Sequence, residues 1–188
     1  MDLKEFLEYL DSGKKIVAGS EVHEYMGYLS QEAIKITTEL NSHYHTPKEV
    51  VKIFEKLTGR RIPESFRQFP PFTTDCGKNI HIGENVFINS GCRFQDQGGI
   101  YIGDDVLIGH NVIIATLNHE MNPEHRADMY PKPVKIESRV WIGSGSVILP
   151  GVTIGEGAVI GAASTVTHDV PATAVTVGSP AKVVKYVE

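Results

Sequence analysis

The chain is poor in the residues that announce a metal centre, a disulfide framework or a membrane. Among 188 residues there are two cysteines and one tryptophan. Cys76 and Cys92 match no metal-ligand spacing, and two thiols make no disulfide framework, so both read as plain reduced side chains. No basic stretch followed by an apolar one opens the chain, and no window reaches the length of a membrane span. The expected location is the cytoplasm. A surplus of positive charge is also missing: the formal net charge of −5 argues against the electrostatic footprint of a nucleic-acid binder.

What is present is a period of six. Aliphatic or aromatic anchors run Ile82, Ile88, Phe94, then Ile102, Ile108, Ile114, then Ile136, Ile142, Ile148, Ile154, Ile160 and Val166. Four residues after most anchors sits a small residue, for example Val86, Cys92, Val140, Ser146, Ala158 and Ser164. Glycine often follows the anchor directly, and the expectation is that it supplies backbone angles other residues reach only with strain. Six is neither the helical nor the strand period; it marks a hexapeptide β-helix, a triangular prism of parallel strands. Three hexapeptides complete a coil, so residues 18 apart should stack: Ile136 with Ile154, Ile142 with Ile160, Ile148 with Val166.

The register fails twice. The step of eight from Phe94 to Ile102 predicts a bulge at Gln95–Gly99, and the step of 22 from Ile114 to Ile136 predicts an inserted loop over about 117–133. Solenoids carry such insertions on a binding face. Residues 1–68 lack the period and read as a helical segment, 69–174 as the β-helix, and 175–188 as a C-terminal edge segment. The third helix has the clearest start, since Thr46-Pro47-Lys48-Glu49 is a capping box with proline at the first helical position.

His119 stands at the entrance of the inserted loop. Histidine titrates near neutrality and is the commonest general base, although a loop histidine can equally be a solvated one. Trp141 precedes an inward-pointing anchor, so its ring should lie outside the prism, where it either meets a ligand or subunit or packs under the loop.

These residues carry a resemblance. Over about 69–187 the chain resembles the maltose/galactoside O-acetyltransferases among the hexapeptide acyltransferases. The motifs are Asp75-Cys76-Gly77-Lys78-Asn79-Ile80, Asn118-His119, Val140-Trp141-Ile142-Gly143, the run from Val147 to Gly155, and Gly178-Ser179-Pro180-Ala181-Lys182-Val183. The resemblance implies a left-handed parallel β-helix, a homotrimer with active sites between neighbouring prisms, and direct acetyl transfer from acetyl-CoA to a hydroxyl without a metal. It implies His119 as general base, and Asp75, Asn89, Asp96 and Met129 on the acceptor side. Trp141, Ser144, Ala162, Thr167, Lys182 and Lys185 match the CoA side, the two lysines near the nucleotide phosphates. The Ser144 N–H and the Asn89 side chain both match the region of the oxyanion, without a choice between them.

The chain also departs from that family. Gly13-Lys14-Lys15-Ile16-Val17-Ala18-Gly19-Ser20 lacks the tyrosine and aspartate usual near the N-terminus, and the second acidic position aligns with Gln97, beside Asp96. An ordinary maltose or galactoside acceptor is therefore in question. Three other readings share the scaffold. A xenobiotic acetyltransferase would keep His119. A γ-class carbonic anhydrase would draw zinc ligands from His81, His110, His119 and His125. A non-catalytic sugar- or partner-binding β-helix would not bind CoA.

Overall fold

A computed structural model describes all 188 residues. Three helices precede the prism: α1 (Leu3–Asp11), α2 (Glu21–Ser42) and α3 (Pro47–Thr58). The capping box at Thr46 is formed, with Glu49 N–H donating to the threonine hydroxyl and the Glu49 carboxylate accepting from Thr46 N–H, and α3 ends on left-handed Gly59. The helices bury apolar stripes against the first coil, where Phe54 lies against Phe66 and Phe72 at centroid separations of 4.8 and 5.1 Å.

The prism has three parallel faces. The first contains Arg67–Gln68, Phe87–Ile88, Leu107–Ile108, Trp141–Ile142, Val159–Ile160 and Ala174–Val177; the second runs from Phe72–Thr74 to Thr165–Val166; the third runs from Ile80–Ile82 to Thr153–Ile154. Lys182–Tyr186 turns back antiparallel on Ala174–Val177 and closes the first face. The expected stacking is present: Ile136 pairs with Ile154, Ile142 with Ile160, and Ile148 with Val166. Across the bulge the offset becomes 20, as in Ile88 with Ile108, and across the insertion it becomes 34, as in Ile108 with Ile142.

Alternation along each short strand sends one side chain to the axis and the next to solvent. Ile88, Ile100, Ile114, Ile142, Ile148, Ile154 and Ile160 are completely buried, and each contributes roughly 1.5–3 kcal/mol of transfer free energy. Cys76 and Cys92 are free and buried, and burial pushes the Cys92 thiol up to about 11, so neither is a reactive thiolate near neutrality. Polar residues take the inward positions at both ends of the first face, Gln68 below Ile88 and Thr176 above Ile160. No helix is long and apolar enough to cross a membrane.

One expectation needs correction. The glycines that follow anchors are not there for unusual backbone angles, because the left-handed residue comes two positions later. After Gly83, Gly103, Gly109 and Gly161 it is Asn85, Asp105, Asn111 and Ala163, with φ between 55° and 58°, and after Gly143 and Gly155 it is Gly145 and Gly157. A Cβ on Gly143 would instead lie 2.5 Å from the backbone nitrogen of Ala162 in the next coil. Close coil-to-coil approach selects the glycine, and the corner angle is borne by its neighbours.

The two roles separate experimentally. Gly143→Ala forces backbone apart and should cost about 1–3 kcal/mol, as overpacking does. Ala163→Gly relieves a left-handed alanine and should leave stability within about 1 kcal/mol of the parent, or raise it. Urea unfolding midpoints of the two variants provide the check.

Candidate active site

The second break in the period becomes a β-hairpin. Leu117–His119 pairs antiparallel with Met129–Pro131, with a single 3-10 turn at Pro123–His125 between them. The root of the hairpin is tied to the bulge that the first break predicts. Thr116 Oγ1 donates to the Gln95 carbonyl at 2.5 Å, Gly98 N–H donates to Thr116 Oγ1 at 2.8 Å, and Leu117 N–H donates to Gln95 Oε1 at 3.2 Å. Both breaks in the register therefore meet at one edge of the prism, between the second and third faces.

The outer strand of the hairpin is gripped by the N-terminal segment. Ile16 and Met129 exchange both backbone hydrogen bonds, at 2.8 and 2.9 Å. The Asp128 carboxylate accepts from Lys15 Nζ and from Ala18 N–H, each at 2.9 Å. These contacts hold the Asp128 carboxyl below its ordinary value, the Lys15 hydrogen bond contributing most. Glu120 accepts from the Tyr130 hydroxyl at 2.6 Å and from Met121 N–H at 2.7 Å, and its carboxyl is likewise lowered. A small apolar cluster of Phe6, Leu10, Ile16, Met26, Leu117 and Met129 seals the space between hairpin and helices.

The hairpin also orients His119. Its Nδ1 lies 2.8 Å from the Arg126 carbonyl oxygen. A carbonyl only accepts, so Nδ1 carries a proton, and in the neutral tautomer that this selects the lone pair is on Nε2. The imidazole is exposed and directly opposite Met129 across the hairpin. Met129 itself is 7% exposed, and most of its surface belongs to the seal against α1 and α2.

Asp75 is at the surface of the same edge. Partial burial, reinforced by the neighbouring Asp96 carboxylate, raises its pKa against hydrogen bonds from Gln97 and Gln95. Asp96 is a correction. It has no exposed surface, and its carboxylate accepts from the Thr74 hydroxyl, Cys76 N–H and Asn79 N–H at 2.6, 2.9 and 3.2 Å. It is a structural clasp between the bulge and the Thr74–Asn79 segment, and it is unavailable to an acceptor.

The CoA-side candidates, and Asn89 from the acceptor side, are elsewhere. Trp141 projects from the first face with its ring outside, 55% exposed, as alternation requires. Asn89, Ser144 and Ala162 follow the anchors Ile88, Ile142 and Ile160 on the edge between the first and second faces. The Gly143 and Gly145 N–H groups bond to the Ile160 and His110 carbonyls, whereas that ladder skips the Ser144 N–H. Lys182 and Lys185 are exposed on the closing strand, and the Thr167 hydroxyl lies 2.8 Å from His168 Nδ1. One prism thus brings His119, Asp75 and Met129 to one edge and Asn89, Ser144 and Ala162 to another, with Trp141 on the adjoining first face. The histidines offered for zinc are more scattered: His81 stacks on Tyr101 on the third face, His110 is on the first-to-second edge, and His119 and His125 are on the hairpin.

Sequence reasoning missed the Arg126 carbonyl, the Lys15–Asp128 pair and the Glu120–Tyr130 pair. A backbone carbonyl leaves no mark on a sequence, and Lys15 lay in a stretch noted only for what it lacked.

The prism and its motifs define a class, the hexapeptide-repeat transferases. The family model described as bacterial transferase hexapeptide (six repeats) matches residues 133–168, and that of the hexapeptide repeat of succinyl-transferase matches 79–116. Within the class, the chain is 36% identical to a galactoside O-acetyltransferase of Lactococcus lactis over 156 residues, covering 81% of this chain and 75% of that protein. The structure of a maltose O-acetyltransferase from Clostridium difficile superposes with a TM-score of 0.88 at 36% identity, over 97% of each chain. A Vibrio cholerae hexapeptide-repeat acetyltransferase, solved with acetyl coenzyme A, superposes with a TM-score of 0.86 at 33% identity, over 97% of this chain and 98% of that one. A Schizosaccharomyces pombe relative, 44% identical, is spanned over only 58% of its own length. The chain belongs to the hexapeptide-repeat O-acetyltransferase family that includes the galactoside and maltose enzymes.

The hairpin clamp has a pH signature. Because the folded Asp128 carboxyl is lowered from its ordinary 3.8, its contribution is complete above that value and is lost as pH falls through the folded one. Lys15 is raised from 10.5 and sets the alkaline limit in the opposite sense. Asp128→Asn should make the Ile16 and Met129 amides exchange several-fold faster near neutrality, measured by hydrogen exchange, with the difference from wild type vanishing in strong acid.

Proposed function

We propose that the protein transfers an acetyl group from acetyl-CoA to a hydroxyl of a sugar or similar small molecule, with His119 as general base. The observation that carries the reading is the contact of His119 Nδ1 with the Arg126 carbonyl. Arg126 holds the proton on Nδ1, leaving Nε2 as the acceptor that a general base must present. Nε2 takes the proton from the acceptor hydroxyl while that oxygen attacks the thioester carbonyl. The tetrahedral intermediate collapses by breaking the C–S bond, and the leaving CoA thiolate recovers the proton from His119. No acyl-enzyme forms. The developing oxyanion needs a donor already in place. Ser144 N–H and the Asn89 side chain are the candidates, Ser144 being favoured by its absence from the coil-to-coil ladder.

Acetyl-CoA would pass along the first-to-second edge, its chain against Trp141, Ser144 and Ala162, with Thr167 beyond and its phosphates toward Lys182 and Lys185. Lysine suits that end as a mobile point charge. The hairpin histidine and this edge are on different sides of one prism, so a complete site needs the hairpin of one copy against the edge of another. A homotrimer satisfies this three times over with one heterologous contact, hairpin to edge, repeated around a closed three-fold axis.

Two measurements test the reading. Removal of the base in His119→Ala should lower acetyl-CoA-dependent thiol release by about 10²–10⁴-fold, with little change in acetyl-CoA binding. Normal turnover in that variant removes His119 from the mechanism. If sites are shared between copies, refolding His119→Ala together with Trp141→Ala should regenerate part of the wild-type activity, because mixed trimers contain some sites with both residues intact. Strict additivity of the two defects, in trimers shown to have mixed, would place the whole site within one chain.

A further inference from the structure

The edge that carries Asn89 and Ser144 contains a second exposed histidine. Hydrogen bonds between coils align Ser90, His110, Ser144 and Ala162 as successive rungs: Asn111 N–H bonds to the Ser90 carbonyl, Gly145 N–H to that of His110, and Ala163 N–H to that of Ser144, at 3.0, 2.7 and 2.9 Å. Neighbouring coils are about 4.8 Å apart, so His110 is one rung from Ser144 and one rung from the Asn89–Ser90 pair. His110 therefore stands between Ser90 and Ser144 in its column, next to the column in which Asn89 is in register with Gly109.

The backbone of His110 is held on both sides while its ring is free. Its N–H donates to the Ser144 hydroxyl oxygen at 3.1 Å, and its carbonyl accepts from Gly145. Neither ring nitrogen has a hydrogen-bond partner among the side-chain bonds of the chain, in contrast to His43, His45, His81, His119 and His168. A neutral imidazole offers one donor and one acceptor, which is what a pair of sugar hydroxyls can use. The chain also needs such a contact. Asp96 is consumed as a structural clasp, and the neighbouring position holds the buried amide of Gln97, so acidic contacts to the acceptor are few.

We infer that His110 is a specificity-determining residue that hydrogen-bonds a hydroxyl of the acceptor next to the one acetylated. The inference rests on the O-acetyltransferase reading above and narrows its acceptor to a polyol or sugar with hydroxyls on adjacent carbons. His110 does not transfer the reacting proton, which remains with His119. Its exposed position allows replacement without disturbing the buried anchors.

The test uses wild-type protein, His110→Ala and His110→Gln with acetyl-CoA, methyl β-galactoside, methyl α-glucoside and their singly deoxygenated analogues. Loss of one neutral hydrogen bond should raise the acceptor KM about tenfold in His110→Ala, leave the KM for acetyl-CoA unchanged, and be partly rescued in His110→Gln. One deoxy analogue should be about tenfold worse than its parent for wild type and equal to its parent for His110→Ala. A purely structural role would not remove that discrimination. Unchanged acceptor KM, or discrimination that persists in His110→Ala, overturns the inference while leaving the acetyltransferase reading intact. Absence of transfer by wild type to every glycoside in the panel overturns the sugar reading and the inference with it; His119→Ala turning over like wild type removes the general base from the reading and leaves the acceptor contact of His110 to be judged on its own variants.

Discussion

The structure depends on how closely one coil can lie on the next. Parallel hydrogen bonds fix the spacing between coils, and the glycine after many anchors lets backbone meet backbone where a methyl group would not fit. Everything else follows from that contact. Anchors stack over anchors, outward residues form straight columns, and an insertion can leave the stack only at a corner, where it does not break a rung. Both irregularities of this chain, the Gln95–Gly99 bulge and the Leu117–Pro131 hairpin, lie at a corner for that reason, and the Thr116–Gln95 and Gly98–Thr116 hydrogen bonds tie them together at the same one.

A rigid lattice also explains the division of labour at the site. The donor-side candidates are on rungs whose positions are set by the stack, whereas His119 is on a hairpin whose orientation is set by contacts outside it. His119, the proposed general base, therefore depends on the Arg126 carbonyl for its ring orientation and on Ile16, Lys15 and Ala18 for its place. Ile16, Lys15 and Ala18 lie about a hundred residues earlier, in the connector between α1 and α2, which makes the N-terminal segment part of the frame of the candidate site as well as a cover for the first coil.

The prism was legible in the sequence because a single side-chain type returns at a fixed step, and its pairing could be written down before the coordinates: Ile142 beside Ile160, Trp141 outward. Legibility fades where the anchor becomes polar. Gln68 and Thr176 occupy inward positions at the ends of the first face and carry no hydrophobic signal, so the extent of the stack could not be read from the period. The reason for the anchor glycines was misread, since spacing reports where a glycine sits and not which atom crowds it. Asp96 was misassigned because a carboxylate has the same letter whether it faces a ligand or closes a loop. The partners that orient His119 were invisible, two of them being a backbone carbonyl and a strand pairing across more than a hundred residues.

The pairing of Ile16 with Met129 has a wider meaning. A hairpin held at its outer strand by one short segment is a replaceable wall. The columns proposed to face the donor repeat and so tolerate little change in any one rung, but the segment Gly13–Ser20 can vary at its exposed positions as long as the Ile16 pairing and packing and the Lys15–Asp128 pair are kept. Divergence in what the protein accepts can accumulate in that short ribbon, while the surface proposed for its coenzyme partner stays under the stricter constraint of the lattice.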